Sequence, residues 1–321
     1  MQVVSFSGYG RTELIEIPRP ILREPDDAIV LVTTAAIGPW DVESFLSVGA
    51  EQVIPGGEFA GLVVETGEDV SHIQLDDLVS NTVHHPLPNG HGEMFGSSTL
   101  PGGHAEYVRV PDADITLTKI AVSGEERAVL AGGSAGLGVN AAESALSKSP
   151  NGKYAVVGCD PIGMTSLITL KDAGAANRLI AVEDHTARRT LASGFASEAF
   201  ASDGQLPENQ ADIVIVGSIR EYPGFDTVAK LVKPGGSIIF SEPYGPTRVT
   251  ESGITFTEDV MISSAAWPTN LDAKKIVTAM QIRRLDLAPL VSHVIPLDEV
   301  QDAYEAAANA SQGVQKVLLK P

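Results

Sequence analysis

The stretch 154–183, Y-A-V-V-G-C-D-P-I-G-M-T-S-L-I-T-L-K-D-A-G-A-A-N-R-L-I-A-V-E, limits what this chain can fold into more than any other. A short run rich in β-branched residues, 155–157, leads into Gly158-Cys159-Asp160-Pro161-Ile162-Gly163. Apolar residues at Ile162, Leu167, Ile168 and Leu170 then follow a helical pattern, and a second apolar run, 179–182, ends in Glu183. This is a strand-turn-helix-strand unit with a dinucleotide fingerprint. Gly158 permits the tight turn, and the helix N-terminus offers free N–H groups and a positive dipole to a pyrophosphate. The carboxylate of Glu183 is placed to accept hydrogen bonds from a ribose diol. The cofactor-binding set is Gly158, Asp160, Pro161, Ile162, Gly163 and Glu183, with Gly217 at the end of a later strand. Glu183 predicts NAD over NADP, because it repels a 2′-phosphate.

The fingerprint has one departure: Asp160 stands at the middle glycine position, where the backbone comes nearest the pyrophosphate. A carboxylate about 4 Å from a phosphate costs about 1 kcal/mol in water-like surroundings and about 4 kcal/mol at an effective dielectric near 20. The alternative is that Asp160 turns away and caps the helix, where a negative charge gains at most about 1 kcal/mol.

With 321 residues the chain has room for two domains with full cores. A net charge of −19 argues against nucleic acid, since neutralising phosphates takes clustered Lys and Arg. The single cysteine, Cys159, allows neither a disulfide framework nor a cysteine-rich zinc site, and reads as packing within the turn rather than as a nucleophile. No apolar stretch approaches about 18 residues, and residues 1–8 lack the basic start of a signal peptide. No membrane partner and a cytoplasmic location are therefore expected.

Residues 1 to about 115 read as strands punctuated by glycine and proline, at 2–6, 13–17, 28–37, 61–65, 77–82 and 105–110, predicting a compact β-barrel-like domain. Ser123, three residues before Glu126, forms a capping box for a buried helical stretch over 128–146, which Gly132, Gly133, Gly136 and Gly138 break at least once. Beyond Glu183, strands at 212–216, 237–240 and 260–263 alternate with helices at 225–232, closed by Lys233-Pro234-Gly235-Gly236, and at 270–285. The alternation predicts a parallel, doubly wound sheet. The tail 293–321 reads as strand, helix (297–308) and strand (314–319), outside that alternation. The expected division is 1–122 with 287–321 in the first domain and 123–286 in the second.

The chain resembles the medium-chain dehydrogenase/reductase superfamily of alcohol dehydrogenases and quinone oxidoreductases along nearly its whole length. The matching residues are Ile54-Pro55-Gly56-Gly57-Glu58-Phe59-Ala60-Gly61 with Gly67 and Val70, then Gly102-Gly103-His104-Ala105-Glu106-Tyr107-Val108. The turn at 158–163, Val232-Lys233-Pro234-Gly235-Gly236, and the ending Ile295-Pro296-Leu297 to Lys316-Val317 complete the match. The resemblance implies an α/β protein: a GroES-like β-barrel domain, a Rossmann domain, a C-terminus returning to the first, and an active-site cleft between them. It also implies a homodimer or homotetramer joined through Rossmann strands. A dimer through the edge 260–263 is expected, and a monomeric mass by light scattering would remove that expectation.

In zinc-dependent members a Cys, the His of a Gly-His-Glu triplet and a later Cys or acidic residue hold the catalytic ion. The matching positions look like Gly38, Gly57 and Ala131, none of which donates a ligand, so no metal site is expected. The four-cysteine structural zinc lobe is absent; residues 80–101 read as a shorter loop carrying His84, His85 and His91, cleft-lining rather than metal-binding. The chain is more similar to the zinc-free branch, with Pro55-Gly56-Gly57-Glu58 in place of Gly-His-Glu. It has Gly38-Pro39-Trp40-Asp41 where that branch has Asn-Pro-x-Asp, so the Asn is missing, and its turn resembles the zinc branch.

Without a Lewis acid, the resemblance implies reduction of an activated C=C bond, in which a positioned donor polarises the conjugated carbonyl. Candidate cleft residues by family position are Trp40, Asp41, Glu43, Glu58, His84 and Tyr244, with Trp40 as an apolar wall. Taken singly, Asp41 also reads as a helix cap, Glu58 as the partner of an Arg, and Tyr244 as a turn residue. Two functional readings follow. One is a zinc-independent oxidoreductase moving a hydride between a nicotinamide cofactor and a small enone- or quinone-type substrate. The other is a member that has lost redox turnover and serves as a binding or regulatory protein or a non-redox enzyme.

Overall fold

The computed structural model describes residues 1–47, 53–87, 92–121, 124–218, 223–243, 259–309 and 313–321. The strands of the second half form a six-stranded sheet in the order Glu198–Phe200, Leu179–Val182, Tyr154–Val157, Ala211–Val216, Val232–Phe240, Met261–Ser264, every neighbour parallel. Tyr154–Val157 and Leu179–Val182 are buried at every residue, as a sheet covered on both faces requires. Chain order reverses at Tyr154–Val157, so the turn that follows it lies at the topological switch point, where open parallel sheets bind ligands.

The helix Pro161–Leu170 follows that turn and is buried at nine of its ten positions; it packs beside Ser134–Lys148 in one core with Val139, Tyr154 and Ile215. The stretch expected as one interrupted helix over 128–146 is two, Glu125–Ala128 and Ser134–Lys148, broken at Gly132-Gly133. Gly136 and Gly138 lie inside the second, where their bare backbone meets Pro268 and the Ile162 carbonyl. Ser123 of the expected capping box lies outside the described residues. The helix expected to reach 285 stops at Gln281, because Arg283 adopts a left-handed φ of 57° that no helix continues through. The segment expected to close the preceding helix is already strand from Val232, with an irregular register before Ile213.

The first half and the tail share a seven-stranded sheet in the order Val291–Pro296, Lys316–Lys320, Ala28–Ala36, Glu58–Thr66, Leu78–Asn81, Leu117–Lys119, with Tyr107–Val110 also paired to Ala28–Ala36. Lys316–Lys320 runs antiparallel to Ala28–Ala36, which returns the chain end to the first sheet and places Lys316 near Glu58. Phe59, Phe95, Val63 and Tyr304 lie in that sheet's core. The loop expected at 80–101 contains a small hairpin, His84–Pro86 with Gly92–Met94; His91 lies outside the described residues. No helix among the described residues is long and apolar enough to cross a membrane.

Candidate active site

Gly158 leaves its strand at φ 82°, a backbone that glycine adopts without cost. A Cβ at Gly163 would overlap the Gly158 carbonyl, and one at Gly217 would lie 2.5 Å from that oxygen and 2.6 Å from Asp160 Oδ1. Bare backbone at these positions lets the helix begin directly against the strand ends. Asp160, 2% exposed, is the N-cap of Pro161–Leu170; its Oδ1 accepts the N–H groups of Gly163 and Ser218, each at 3.1 Å. The carboxylate is therefore aimed into the turn, the capping alternative. Pro161 has no N–H, which leaves Ile162 as the first helical residue with an amide for an anion.

Glu183 is equally buried, and both of its oxygens are engaged: Oε2 accepts the Cys159 N–H at 2.7 Å and Oε1 the His185 N–H at 2.9 Å. It braces the turn from behind rather than standing out past the strand. Burial, then the charges of Glu183 and Asp160, push the Cys159 thiol well up, so it stays protonated and packs. Gln315 Nε2 donates to the Cys159 carbonyl at 3.2 Å, bringing the tail onto the turn. A cradle with no room for a Cβ, at the N-terminus of a buried helix, fits a dinucleotide pyrophosphate. With its carboxylate turned inward, Asp160→Gly should change NADH affinity less than about threefold while lowering stability by about 1–2 kcal/mol through the lost cap. A calorimetric gain of tenfold or more would mean that the carboxylate faces the cofactor.

A second cluster forms where the helix Pro39–Phe45 meets the turn at 55–58. Asp41 holds the two together: Oδ2 accepts the Gly38 N–H at 2.8 Å and Oδ1 the Gly56 N–H at 2.9 Å. Burial pushes its carboxyl up to about 6, against the lowering effect of those amides and of Lys316. Trp40 lies over Gly38 and Gly57, and a Cβ built on either would run into the indole. Its Nε1 is buried and has no hydrogen-bond partner among the described residues.

Glu58, 1% exposed, accepts the Ser134 N–H at 2.5 Å and the Ser134 hydroxyl at 3.2 Å, at the N-terminus of Ser134–Lys148. Its cationic partner is Lys316, where the alternative reading has an Arg; the Lys316 ammonium also donates to Ser134 Oγ at 2.8 Å and lies 5.7 Å from the centroid of the Trp40 ring. Burial lowers the His104 pKa to about 3, and the neutral ring meets the Tyr304 hydroxyl at 2.9 Å through Nδ1.

Trp40, Asp41 and Glu58 thus come together, whereas Glu43 is exposed on the same helix and Tyr244 lies outside the described residues. His84 stacks on Trp267 at 4.9 Å, and His85 Nε2 meets Asp112 at 2.7 Å, so the adjacent histidines diverge. Lys316 and Ser134 were missed by sequence reasoning. The available signal was a lysine opening the apolar run Val317-Leu318-Leu319, a position that buries a charge.

The alcohol dehydrogenase GroES-like domain model matches residues 24–120. An L-threonine 3-dehydrogenase of Bacillus velezensis is 27% identical over 351 residues, spanning 98% of this chain and 96% of that protein. Zinc-type alcohol dehydrogenase B of Aspergillus flavus is 24% identical, spanning 100% of this chain and 81% of its own. The structure of alcohol dehydrogenase TADH from Thermus sp. ATN1 matches with a TM-score of 0.79 at 24% identity, over 100% of this chain and 99% of that one. The chain belongs to the medium-chain dehydrogenase/reductase superfamily. Its two sheets are that superfamily's GroES-like and Rossmann domains. The dehydrogenase relatives support an oxidoreductase of this superfamily and imply a nicotinamide cofactor.

Zinc-type members of this superfamily raise the question of whether a metal fits here. At Gly38 and Gly57 the Trp40 indole occupies the space into which ligand side chains would project, and Ala131 is fully buried. Glu58 is engaged by Lys316 and Ser134. Among the described residues no group of three or more His, Cys, Asp or Glu side chains is placed to hold a metal ion. The described residues do not fit a zinc ion at this place.

Proposed function

We propose that this protein is a zinc-independent oxidoreductase that uses NAD(H) in preference to NADP(H) to reduce a small carbonyl-conjugated substrate of the enone or quinone type. The observation that carries this reading is the buried N–H of Trp40, without a hydrogen-bond partner among the described residues, beside the two glycines at the metal-ligand positions. A buried donor without a partner costs about 1–3 kcal/mol, a cost that a carbonyl oxygen of the substrate would remove. The nicotinamide, when bound, supplies the hydride. Gly158, Asp160, Pro161, Ile162, Gly163 and Gly217 would cradle its pyrophosphate, and the charge of Glu183 behind the turn disfavours a 2′-phosphate.

The chain's own residues do the rest. Trp40 donates to the carbonyl oxygen as negative charge develops there, and the Lys316 ammonium over the ring withdraws electron density and strengthens that donor. Asp41 fixes Trp40 through the two backbone amides it accepts, and Glu58 with Ser134 holds Lys316 in place. The α-carbon takes its proton from water.

The test is calorimetric titration of metal-analysed protein with NADH and NADPH, followed by a screen of enones and quinones. Micromolar NADH binding, weaker NADPH binding, less than stoichiometric zinc, and NADH oxidation on adding an enone are expected. One zinc per chain, or no binding of either cofactor, would sink the reading; the latter favours a member without redox turnover.

A further inference from the structure

A cavity of about 420 Å³, whose described lining includes no residue of the Rossmann turn and neither Trp40, Asp41 nor Glu58, lies between the extended segment 17–23 and the strand Tyr107–Val110. Its size is that of a small-ligand site. Ile17, Pro18, Pro20, Ile54 and Val108 give it apolar walls, and the Tyr107 ring forms one face with the Arg19 guanidinium 4.2 Å from its centroid. Among the described lining residues every charged side chain is an arginine, in a chain with 41 acidic residues against 22 Lys and Arg. Arg19 is matched by Glu65 at 2.8 Å and Arg109 by the buried Asp27 at 2.7 Å, both carboxylates outside the lining. Arg23 is exposed, and its guanidinium has no carboxylate partner among the described residues.

We propose that this cavity binds a small monoanionic amphipathic molecule, a carboxylate with an aromatic or branched apolar body. The body lies against Ile17, Ile54 and Tyr107, and the carboxylate takes the two-pronged donor face of Arg23. Charge complementarity sets the class: a neutral apolar molecule leaves the Arg23 guanidinium unmatched, and the Met1 ammonium, which donates to the Ile17 carbonyl, adds a second positive charge to the lining. The site goes beyond the redox reading and does not depend on it.

The probe is 3-phenylpropionate, which is saturated beside its carboxylate and so offers no conjugated bond to reduce; its amide serves as the neutral counterpart. Calorimetric titration of the full chain should show saturable binding of the acid and at least tenfold weaker binding of the amide. Arg23→Gln should weaken the acid about tenfold, Arg23→Lys should recover only part of that loss because an ammonium keeps the charge but not the fork, and neither should alter NADH binding. The proposal is overturned if the acid shows no saturable binding, if acid and amide bind equally, or if Arg23→Gln leaves the acid's affinity unchanged.

Discussion

Lys316→Met should destabilise the protein by about 3–5 kcal/mol, read as a lowered midpoint in urea, with the far-ultraviolet spectrum of the folded state unchanged. Lys316 and Glu58 are each 1% exposed, so the methionine leaves a carboxylate buried with only the Ser134 N–H and hydroxyl as donors among the described residues. The size of the effect reflects the stranded charge rather than the net worth of the ion pair, because desolvating two ions offsets much of their attraction. Glu58→Gln added to Lys316→Met should therefore recover a large part of the loss, giving a coupling well above the few tenths of a kcal/mol expected of independent sites. A single-variant loss below about 1 kcal/mol would mean that water or another cation reaches Glu58. The same variant removes the positive charge over the Trp40 ring, so it should also lower turnover without changing NADH affinity.

The two sheets were legible because they rest on local, repetitive signals. The apolar runs at 154–157 and 179–182 have only one stable use, as buried strands, and the glycines of the turn mark the strand-to-helix junction. Asp160 was legible as to its alternatives but not its choice. Whether a carboxylate at a helix start faces a ligand or caps the helix depends on a second donor, Ser218, which lies 58 residues away and carries no local signal. Glu183 sits at its expected position yet spends both oxygens on backbone amides, a preference that the sequence does not display.

The Trp40 cluster was least legible because its members come from four separate places in the chain. Gly38 and Gly57 appear in the sequence as lost ligands, and only in three dimensions does the indole fill the space left by both. The sequence offers an arginine only as one alternative for Glu58 and does not point to Lys316 for the same reason: the strand Lys316–Lys320 reaches Glu58 only through its pairing with Ala28–Ala36.

Trp40→Phe should lower kcat for enone reduction by about a hundredfold with little change in NADH affinity, because it removes one preorganised donor at the atom where negative charge develops. Phenylalanine keeps an aromatic wall over Gly38 and Gly57 and loses only the ring segment that carries the N–H, so the stability cost should be about 1–2 kcal/mol, far less than that of full truncation. It also removes a buried unsatisfied donor, which offsets part of the lost packing. That opposition separates the two roles considered for this residue. An apolar wall predicts that activity follows stability, with Trp40→Phe close to wild type and Trp40→Leu worse. A carbonyl donor predicts that Phe and Leu are equally slow although their stabilities differ. Steady-state kinetics on one enone, with urea midpoints for the same proteins, decide between them, and a Trp40→Phe rate within threefold of wild type would assign the carbonyl's donor to another group.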